Sequence, residues 1–278
     1  MRLGVDVGGT KIAVVVLDAG GAERLRRRTE YSSREYASAL DLLTNEILKA
    51  EREAGERCSV GIGMPGLIDP ETGLVENAYN TPYNKRSLKK ELEQKLGRET
   101  RFANDANCFA LSEAVDGAAR GANVVFGAIL GTGVGGGIVV ARHIVVGRHG
   151  IAGEWGHTPL PWMSADEHPG PLCNCGRRGC IEQFLCGPAK NRGRDTIGEE
   201  AATTLYEDRL ARAFSMIINV LDPDVIVVGG GLSKHERFYA NVPPLLKKYV
   251  YREHPGTPIV RAVHGDASGV RGAAMLWP

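Results

Sequence analysis

No apolar run in this chain approaches the roughly 20 residues that a membrane-spanning helix needs, so the reading excludes an integral membrane protein. No charged-then-apolar leader stands at Met1-Arg-Leu-Gly-Val-Asp-Val7, which sets the expectation of a cytoplasmic protein. Net charge is almost lacking too. With 34 Lys and Arg against 33 Asp and Glu the formal charge is +1, too small for a broad pull on nucleic acid or anionic membrane. Any anion must therefore be held locally. With five residues before Asp6, where an N-terminal helix-turn-helix would stand, direct DNA regulation is not expected. Tandem repeats and low-complexity linkers are absent. A disulfide framework is not expected either: Cys58 and Cys108 stand alone in apolar or helix-like surroundings, where a free thiol behaves as a small hydrophobe.

What is present is an ordinary globular balance, 43% hydrophobic and 24% charged over 278 residues, long enough for two moderate cores. Three of the six cysteines crowd into Cys173-Asn-Cys175-Gly-Arg-Arg-Gly-Cys180, sixteen residues after His157, with Cys186 nearby. Thiols packed this closely in a long chain of intracellular character point to a metal-held loop. Zinc takes four nitrogen or sulfur ligands at tetrahedral corners, and a closed Cys3His set is usually structural. Three thiolates and a neutral imidazole leave such a site negative, and Arg177 and Arg178 in the same loop are placed to offset that charge.

Hydrophobic periodicity sets the organisation. Arg2 to Val7 and Ile12 to Leu17 read as two strands joined by a glycine turn, a β-hairpin. Leu40, Leu43, Ile47 and Ala50 recur at helical spacing within 36–55, and Ser59 to Met64 is a strand stopped by Pro65-Gly66. A polar loop with Asn77, Asn80 and Asn84 precedes a helix opened by Ser87 and running to Leu96, then a brief strand at Phe102. The second half repeats the scheme: a strand over 124–130, a glycine-rich turn over 131–137, and a strand from Ile138 to Ala141. A helix over 201–221 follows, periodic through Leu205, Leu210, Ala213, Ile217 and Val220, then a buried strand at Val225 to Val228 that runs into Gly229-Gly230-Gly231.

Gly8-Gly9-Thr10-Lys11 can bring backbone N–H groups against a phosphate, since glycine has no Cβ to block the approach, and Thr10 and Lys11 add a hydroxyl and a cation. A tight hairpin uses glycine for steric reasons as well. The recurrence of a similar turn at Gly131-Thr132-Gly133, with a third at Gly229 to Gly231, raises the nucleotide reading above the steric one. None of these turns matches the P-loop or the dinucleotide fingerprint.

Asn104-Asp105-Ala106-Asn107 stands between a strand and a helix covering Cys108 to Val115. Such residues are ordinary helix caps; alternatively, the Asp105 carboxylate takes the proton of a substrate hydroxyl as it attacks a γ-phosphoryl group. A sugar needs several short polar side chains, and Asn104, Glu154, His157 and Glu182 are of the right type, although each taken singly reads as a solvated or capping residue. His157 has two candidate tasks, with one ring nitrogen on the metal and the other on a hydroxyl.

At these residues the chain resembles the ROK family of sugar kinases and sugar-responsive repressors. The resemblance runs through Asp6 to Lys11, Gly63-Met-Pro-Gly-Leu-Ile-Asp69, Asn104 to Asn107, Gly131 to Gly133, Gly153-Glu-Trp-Gly-His157, the cysteine cluster with Glu182, and Asp222-Pro-Asp-Val-Ile-Val-Val-Gly-Gly-Gly231. Within the family, Asn104 to Gly117, Leu160-Pro-Trp-Met163 and His264 to Ala274 are similar to the fructokinase (mannokinase-like) branch. The resemblance implies an α/β, two-lobed, actin-like (ribonuclease H-like) ATPase fold with a cleft, and a homodimer. The small lobe would take 1–117, completed by a C-terminal helix at 266–278; the large lobe would take 118–265, with a zinc loop at 157–182.

The same resemblance implies Mg2+ with ATP, a structural Zn2+ on His157, Cys173, Cys175 and Cys180, and Asp105 as base. It puts Gly66, Asn104, Asp105, Glu154, His157 and Glu182 on the sugar. The nucleotide falls to Gly8, Gly9, Thr10, Lys11, Gly131, Thr132, Gly133, Gly229, Gly230 and Gly231. The reaction expected is transfer of the γ-phosphoryl group to the 6-hydroxyl of a hexose, fructose first. Glucose, mannose or an N-acetylated hexosamine is the alternative, as is a sugar-binding protein with impaired catalysis, and the loop from Asn77 to Asn84 is expected to choose the sugar. By its proximity to the cysteines, His168 is a candidate competing metal ligand. One departure stands out: Gly187 to Asp195 leads almost at once into Glu199, a shorter stretch than the family pattern, beside the expected adenosine site. It is either a true deletion or an omission of residues, and it puts ATP binding in question.

Overall fold

The structure, a computed structural model, describes every residue except Ser33, Asn80 and Pro278. Asn80, one of the asparagines expected to bear on sugar choice, therefore lies outside the described residues. The chain divides into two compact units. One comprises residues 1–112, 145–152 and the C-terminal stretch from Asp266; the other comprises 113–144 and 153–265.

The first unit is built on β1 (Arg2–Val7), β2 (Lys11–Leu17) and β3 (Glu23–Glu30), an antiparallel meander, followed by α1 (Tyr36–Ala54) and β4 (Ser59–Met64), which pairs with β1 in parallel. A two-stranded ribbon of β5 (Leu67–Ile68) and β6 (Val75–Glu76) comes next. Then α2 (Leu88–Leu96) leads to β7 (Arg101–Asn104), parallel to β4, and to α3 (Asp105–Val115). The strand order is β3-β2-β1-β4-β7. Alternation explains the pairing: Leu3, Val5 and Val7 of β1 and Ile12, Val14 and Val16 of β2 are buried in one core with Leu40, Leu43, Ile47 and Ala50 of α1. Glu35 caps α1 by accepting from the N–H groups of Ala37 and Ser38, and Gly55 ends it in the left-handed region at φ 76°. Truncating Leu43 to Ala there would cost roughly 2–5 kcal/mol.

The second unit repeats this order. Its strands β8 (Val124–Leu130), β9 (Val134–Val140) and β10 (His143–Ile144) are again an antiparallel meander. After α4 (Glu182–Leu185), α5 (Gly187–Ile197) and α6 (Glu199–Leu221), β11 (Val225–Gly229) pairs with β8 in parallel. Beyond α7 (Arg237–Leu245), β12 (Ile259–Arg261) pairs with β11 in parallel, giving the order β10-β9-β8-β11-β12. The final helix, α8 (Ser268–Ala274), belongs to the first unit and lies on β1 and β4. Glycine permits that approach: a Cβ on Gly4 or Gly61 would come within 2.1 Å of Val270 O or 1.9 Å of Ala273 O.

Several sequence expectations shift. The second strand of the repeated hairpin begins at Val134, inside the glycine run, because Gly135, Gly136 and Gly137 pair with Ile129, Ala128 and Gly127. Val220, placed on the buried face of α6, is 84% exposed; it stands in the last turn, after the apolar stripe has left the core. The stretch expected to run directly into Glu199 is the helix α5, joined to α6 through Gly198 at φ 85°. The residues 23–30 form a strand although four are arginine, because an edge strand with charged outward positions resists unwanted pairing. Among the described residues, no helix is long and apolar enough to cross a membrane.

Candidate functional site

In an open sheet with parallel strands, ligands gather at the carboxyl ends. In the first unit β1, β4 and β7 are parallel neighbours, with Asp6 opposite Gly63 and Met64 opposite Asn104. Their carboxyl ends therefore bring the Gly8–Lys11 turn, Gly66 and Asn104-Asp105 to one edge of the sheet. The hairpin turn is closed by Gly8 N–H donating to Lys11 O at 2.9 Å, and Tyr31 braces it by donating through its hydroxyl to Gly8 O at 2.5 Å.

Asn104 is the hinge pin of that edge. Its Oδ1 accepts from Ala106 N–H at 2.9 Å, as a helix cap does, while its Nδ2 donates to Gly66 O at 3.1 Å. Gly66 sits at φ 75°, where a Cβ would meet Glu76 O at 2.1 Å, so only glycine serves. Asp105 opens α3, half-buried, with Oδ1 accepting from Ala106 N–H at 2.8 Å. The capping reading is thus realised by Asn104, and the same cap fixes the backbone that presents Asp105.

Asp6, part of the first motif but not singled out from the sequence, belongs to the same edge. Burial raises its carboxyl above the usual range, with Lys11 opposing. Cys108, one turn into α3, is buried with its thiol pushed well up by desolvation and by Asp6 and Asp105. Its Sγ would lie 3.1 Å from a Cβ on Gly63, so these carboxylates share one neighbourhood with a closely packed thiol. In the loop expected to choose the sugar, Asn84 is structural, accepting from Ala78 N–H at 3.2 Å. Tyr79 is 63% exposed, its hydroxyl donating to Asn77 Oδ1 at 3.1 Å.

The second unit has the corresponding edge. The turn Gly131-Thr132-Gly133 follows β8, and Gly230 and Gly231 follow β11, its parallel neighbour. A Cβ on Gly131 would stand 4.0 Å from Gly231 N, and Gly187 N–H at the start of α5 donates to Gly131 O at 2.7 Å. All three glycine segments of this unit therefore meet. Glu182 closes the arrangement: its Oε2 accepts from Val134 N–H at 3.0 Å and would sit 2.8 Å from a Cβ on Gly133. The sequence spacing gave no sign of this bond.

Glu154 and His157 flank Trp155, which carries the positioning. Trp155 is buried, stacked on Phe214 at 5.6 Å and edge-on to Phe126 at 5.4 Å, and its Nε1–H donates to Gly135 O at 2.8 Å. A Cβ on Gly136 would strike Trp155 Cδ1 at 2.6 Å, which is why glycine recurs inside β9. Glu154 is exposed by its accessible surface, yet desolvation by the protein packed around it holds its carboxyl above the usual range, with His157 opposing the shift and Glu182 adding to it. Glu154 thus lies within electrostatic reach of both His157 and Glu182.

His157 and the three cysteines assemble as the spacing suggested. One ligand atom from each of His157, Cys173, Cys175 and Cys180 lies within 4.8 Å of all the others. Cys173 Sγ is 3.5 Å from His157 Nδ1, and the Cys175 and Cys180 sulfurs are 3.6 Å apart. Tetrahedral zinc with its usual bonds to sulfur places sulfurs roughly 3.8 Å apart, so the set fits such an ion. His168 is not in this group. Desolvation acts to raise the Cys175 thiol, but hydrogen bonds from Arg177, Cys173 and Cys180 bring it down to about 6. Arg177 thus meets the charge-balancing expectation, whereas Arg178 donates to Gly170 O at 3.3 Å.

Comparison with known proteins adds identity to this geometry. A model of the ROK family matches residues 2–278. The N-acetyl-D-glucosamine kinase of Mannheimia succiniciproducens is 36% identical over 305 positions, covering 100% of this chain and 99% of its own. Since this chain has 278 residues, 27 of those positions (305 less 278) have no counterpart in it. Among solved structures, a ROK hexokinase from Thermus thermophilus is 29% identical with a TM-score of 0.86, covering 99% of this chain and 96% of that one. A ROK family glucokinase from Streptomyces griseus, in complex with glucose and AMPPNP, is 26% identical with a TM-score of 0.80, covering 99% and 98%.

Proposed function

Because the chain belongs to the ROK family and is a sugar kinase with the two-lobed actin-like α/β fold, we propose that it transfers the γ-phosphoryl group of ATP to the 6-hydroxyl of an N-acetylated hexosamine, N-acetylglucosamine first. The expectation of fructose gives way to its alternative, since curated relatives matched end to end are N-acetyl-D-glucosamine kinases. The observation that carries the reading is Asn104-Asp105, fixed at the sheet edge by Gly66, in a chain matched over its whole length by such a kinase.

In this reading the first unit supplies the proton chemistry. Asp105 takes the proton of the 6-hydroxyl as that oxygen attacks in line, while Asn104 and Gly66 hold the sugar. The Gly8–Lys11 turn receives phosphate. Magnesium bound with ATP would neutralise phosphate charge, and Asp6, on the same edge as the Gly8–Lys11 turn, is the carboxylate that would hold it. The second unit supplies Glu154, His157 and Glu182 as hydroxyl partners, and Gly131–Gly133 with Gly229–Gly231 for the nucleotide. Zinc on His157, Cys173, Cys175 and Cys180 supplies rigidity. With Nδ1 turned to the sulfurs and so to the metal, His157 would carry its N–H on Nε2 and donate a hydrogen bond from it to a sugar hydroxyl.

The test is to incubate the protein with Mg-ATP and N-acetylglucosamine and to identify the product by NMR. The 6-phosphate is expected, and the 6-deoxy sugar should release no ADP above background. Phosphate at another oxygen would overturn the proposal.

A further inference from the structure

Fifteen residues, 158–172, separate the first metal ligand from the second, and they form neither helix nor regular strand. A flexible arm of that length would leave closing the set to the ion, at the entropy cost of the loop. The arm is clamped at its middle. Arg212 of α6, with 4% of its side chain exposed, donates to Trp162 O at 2.9 Å and forks onto Glu167, at 2.7 Å to Oε2 and 2.9 Å to Oε1. Its Nε lies 3.0 Å from Asp208 Oδ2. Glu167 is also buried, 7% exposed, and further accepts from Arg209 Nε at 2.7 Å and from Ser164 N–H at 3.1 Å.

Arg209 and Arg212 stand three residues apart on one face of α6, and the Arg209 guanidinium lies over Phe184, 5.0 Å from its centroid, in the short helix that Glu182 opens. The arm then meets the cysteine loop directly. Leu160 N–H donates to Gly179 O at 2.8 Å, Gly179 N–H donates to Pro171 O at 3.0 Å, and Met163 packs on Gly179. A chain of direct contacts therefore runs from Arg212 to the loop that carries Cys173, Cys175 and Cys180, through polar groups whose charges balance: two arginines against Glu167 and Asp208.

We propose that Arg212, clamped by Glu167, is a positioning residue that holds the metal arm assembled before the ion binds, and thereby sets how tightly the Cys3His set retains zinc. Outer partners of metal ligands commonly change affinity by about 10–100-fold. Preorganisation is the physical reason: the part of the ordering cost met by the clamp is not charged against metal binding.

The control lies on the same helix. Glu207, also buried, is paired with Arg237 Nε at 2.6 Å and takes two hydrogen bonds from Asn241, and this network does not reach the arm. Zinc affinity is measured on the full chain by competition with a colorimetric chelator, alongside thermal midpoints. Arg212→Met and Glu167→Gln are expected to weaken zinc binding by about 10–100-fold. Arg212→Lys, which keeps the charge but loses the fork, should fall between. Arg237→Met should lower the midpoint and leave zinc affinity within twofold of wild type. If Arg212→Met does not fold, Glu167→Gln and Arg212→Lys decide the matter. The proposal rests on the metal reading, and its failure is distinguishable: a wild-type chain that binds no zinc overturns both. Wild-type zinc affinity in the folded Arg212 and Glu167 variants overturns the clamp alone.

Discussion

The two units are one topology written twice, and they differ most between the third strand and the long helix that follows. In the first unit β3 passes to α1 through residues 31–35; β10 passes to α6 through residues 145–198, of which 145–152 belong to the first unit and the rest include the metal loop, α4 and α5. The turns between their first two strands differ accordingly. The first is braced from within the unit's core region by Tyr31, and the second by Glu182, delivered from the inserted segment. A duplicated frame thus gives two glycine-turn edges, one of them reached by the inserted segment. In the proposed function the short edge carries the proton acceptor Asp105, and the decorated edge carries the hydroxyl partners Glu154, His157 and Glu182.

If that division holds, loss of Asp105 should appear in turnover and damage to the second edge in sugar affinity. The largest effect is expected for Asp105→Asn: kcat should fall by about 10²–10⁴-fold, with the sugar KM changed only a few-fold. Steady-state kinetics with Mg-ATP check this, and near-normal turnover removes Asp105 from the role. Next comes metal removal. Chelation to a zinc-free sample, verified by elemental analysis, should raise the sugar KM by roughly tenfold before the protein unfolds. An unchanged KM would separate the metal from recognition.

A smaller contrast sets the two glycine turns against each other. In Gly133→Ala the new methyl meets Glu182 Oε2 at 2.8 Å, whereas in Gly8→Ala the nearest atom is at 3.5 Å. Displacing Glu182 breaks one hydrogen bond worth about 1 kcal/mol, so Gly133→Ala should raise the sugar KM several-fold with kcat retained. Gly8→Ala should leave the sugar KM alone. Equal effects would remove the asymmetry.

The smallest effect is on pH dependence. Burial acts to raise the Glu167 carboxyl, but hydrogen bonds from Arg212, Arg209 and Ser164 bring it down from an ordinary 4.5 to about 2. A depressed folded value means that its contribution is complete above the unfolded value and is lost as pH falls from 4.5 toward 2. Thermal midpoints should therefore decline less steeply with acid in Glu167→Gln than in wild type over that interval. Parallel curves would show that the pair contributes nothing to acid stability.

Much of this was legible because local rules carry it. Alternation in β1 and β2, the periodic stripe of α1, the glycine turns and the cysteine spacing are all set by residues close in the chain. What stayed hidden is set by partners far apart or by context. Glu182 and Val134 meet only after the sheet forms, and Glu167 and Arg212 are 45 residues apart. Helix α5 has a polar sequence with glycine at its first position and in its middle, so periodicity offers no stripe to read. The strand β3 hides behind its arginines. The sugar was the least legible feature, because discrimination among hexoses depends on pocket shape, and resemblance pointed to fructose where the relatives point to an N-acetylated sugar.

The most direct measurement is therefore kcat/KM for N-acetylglucosamine and for fructose, under the same Mg-ATP conditions and on the zinc-loaded protein. The account predicts at least a tenfold preference for N-acetylglucosamine, equivalent to about 1.4 kcal/mol of differential transition-state binding. A preference of that size for fructose, or no ATP-dependent turnover with either sugar, would contradict it.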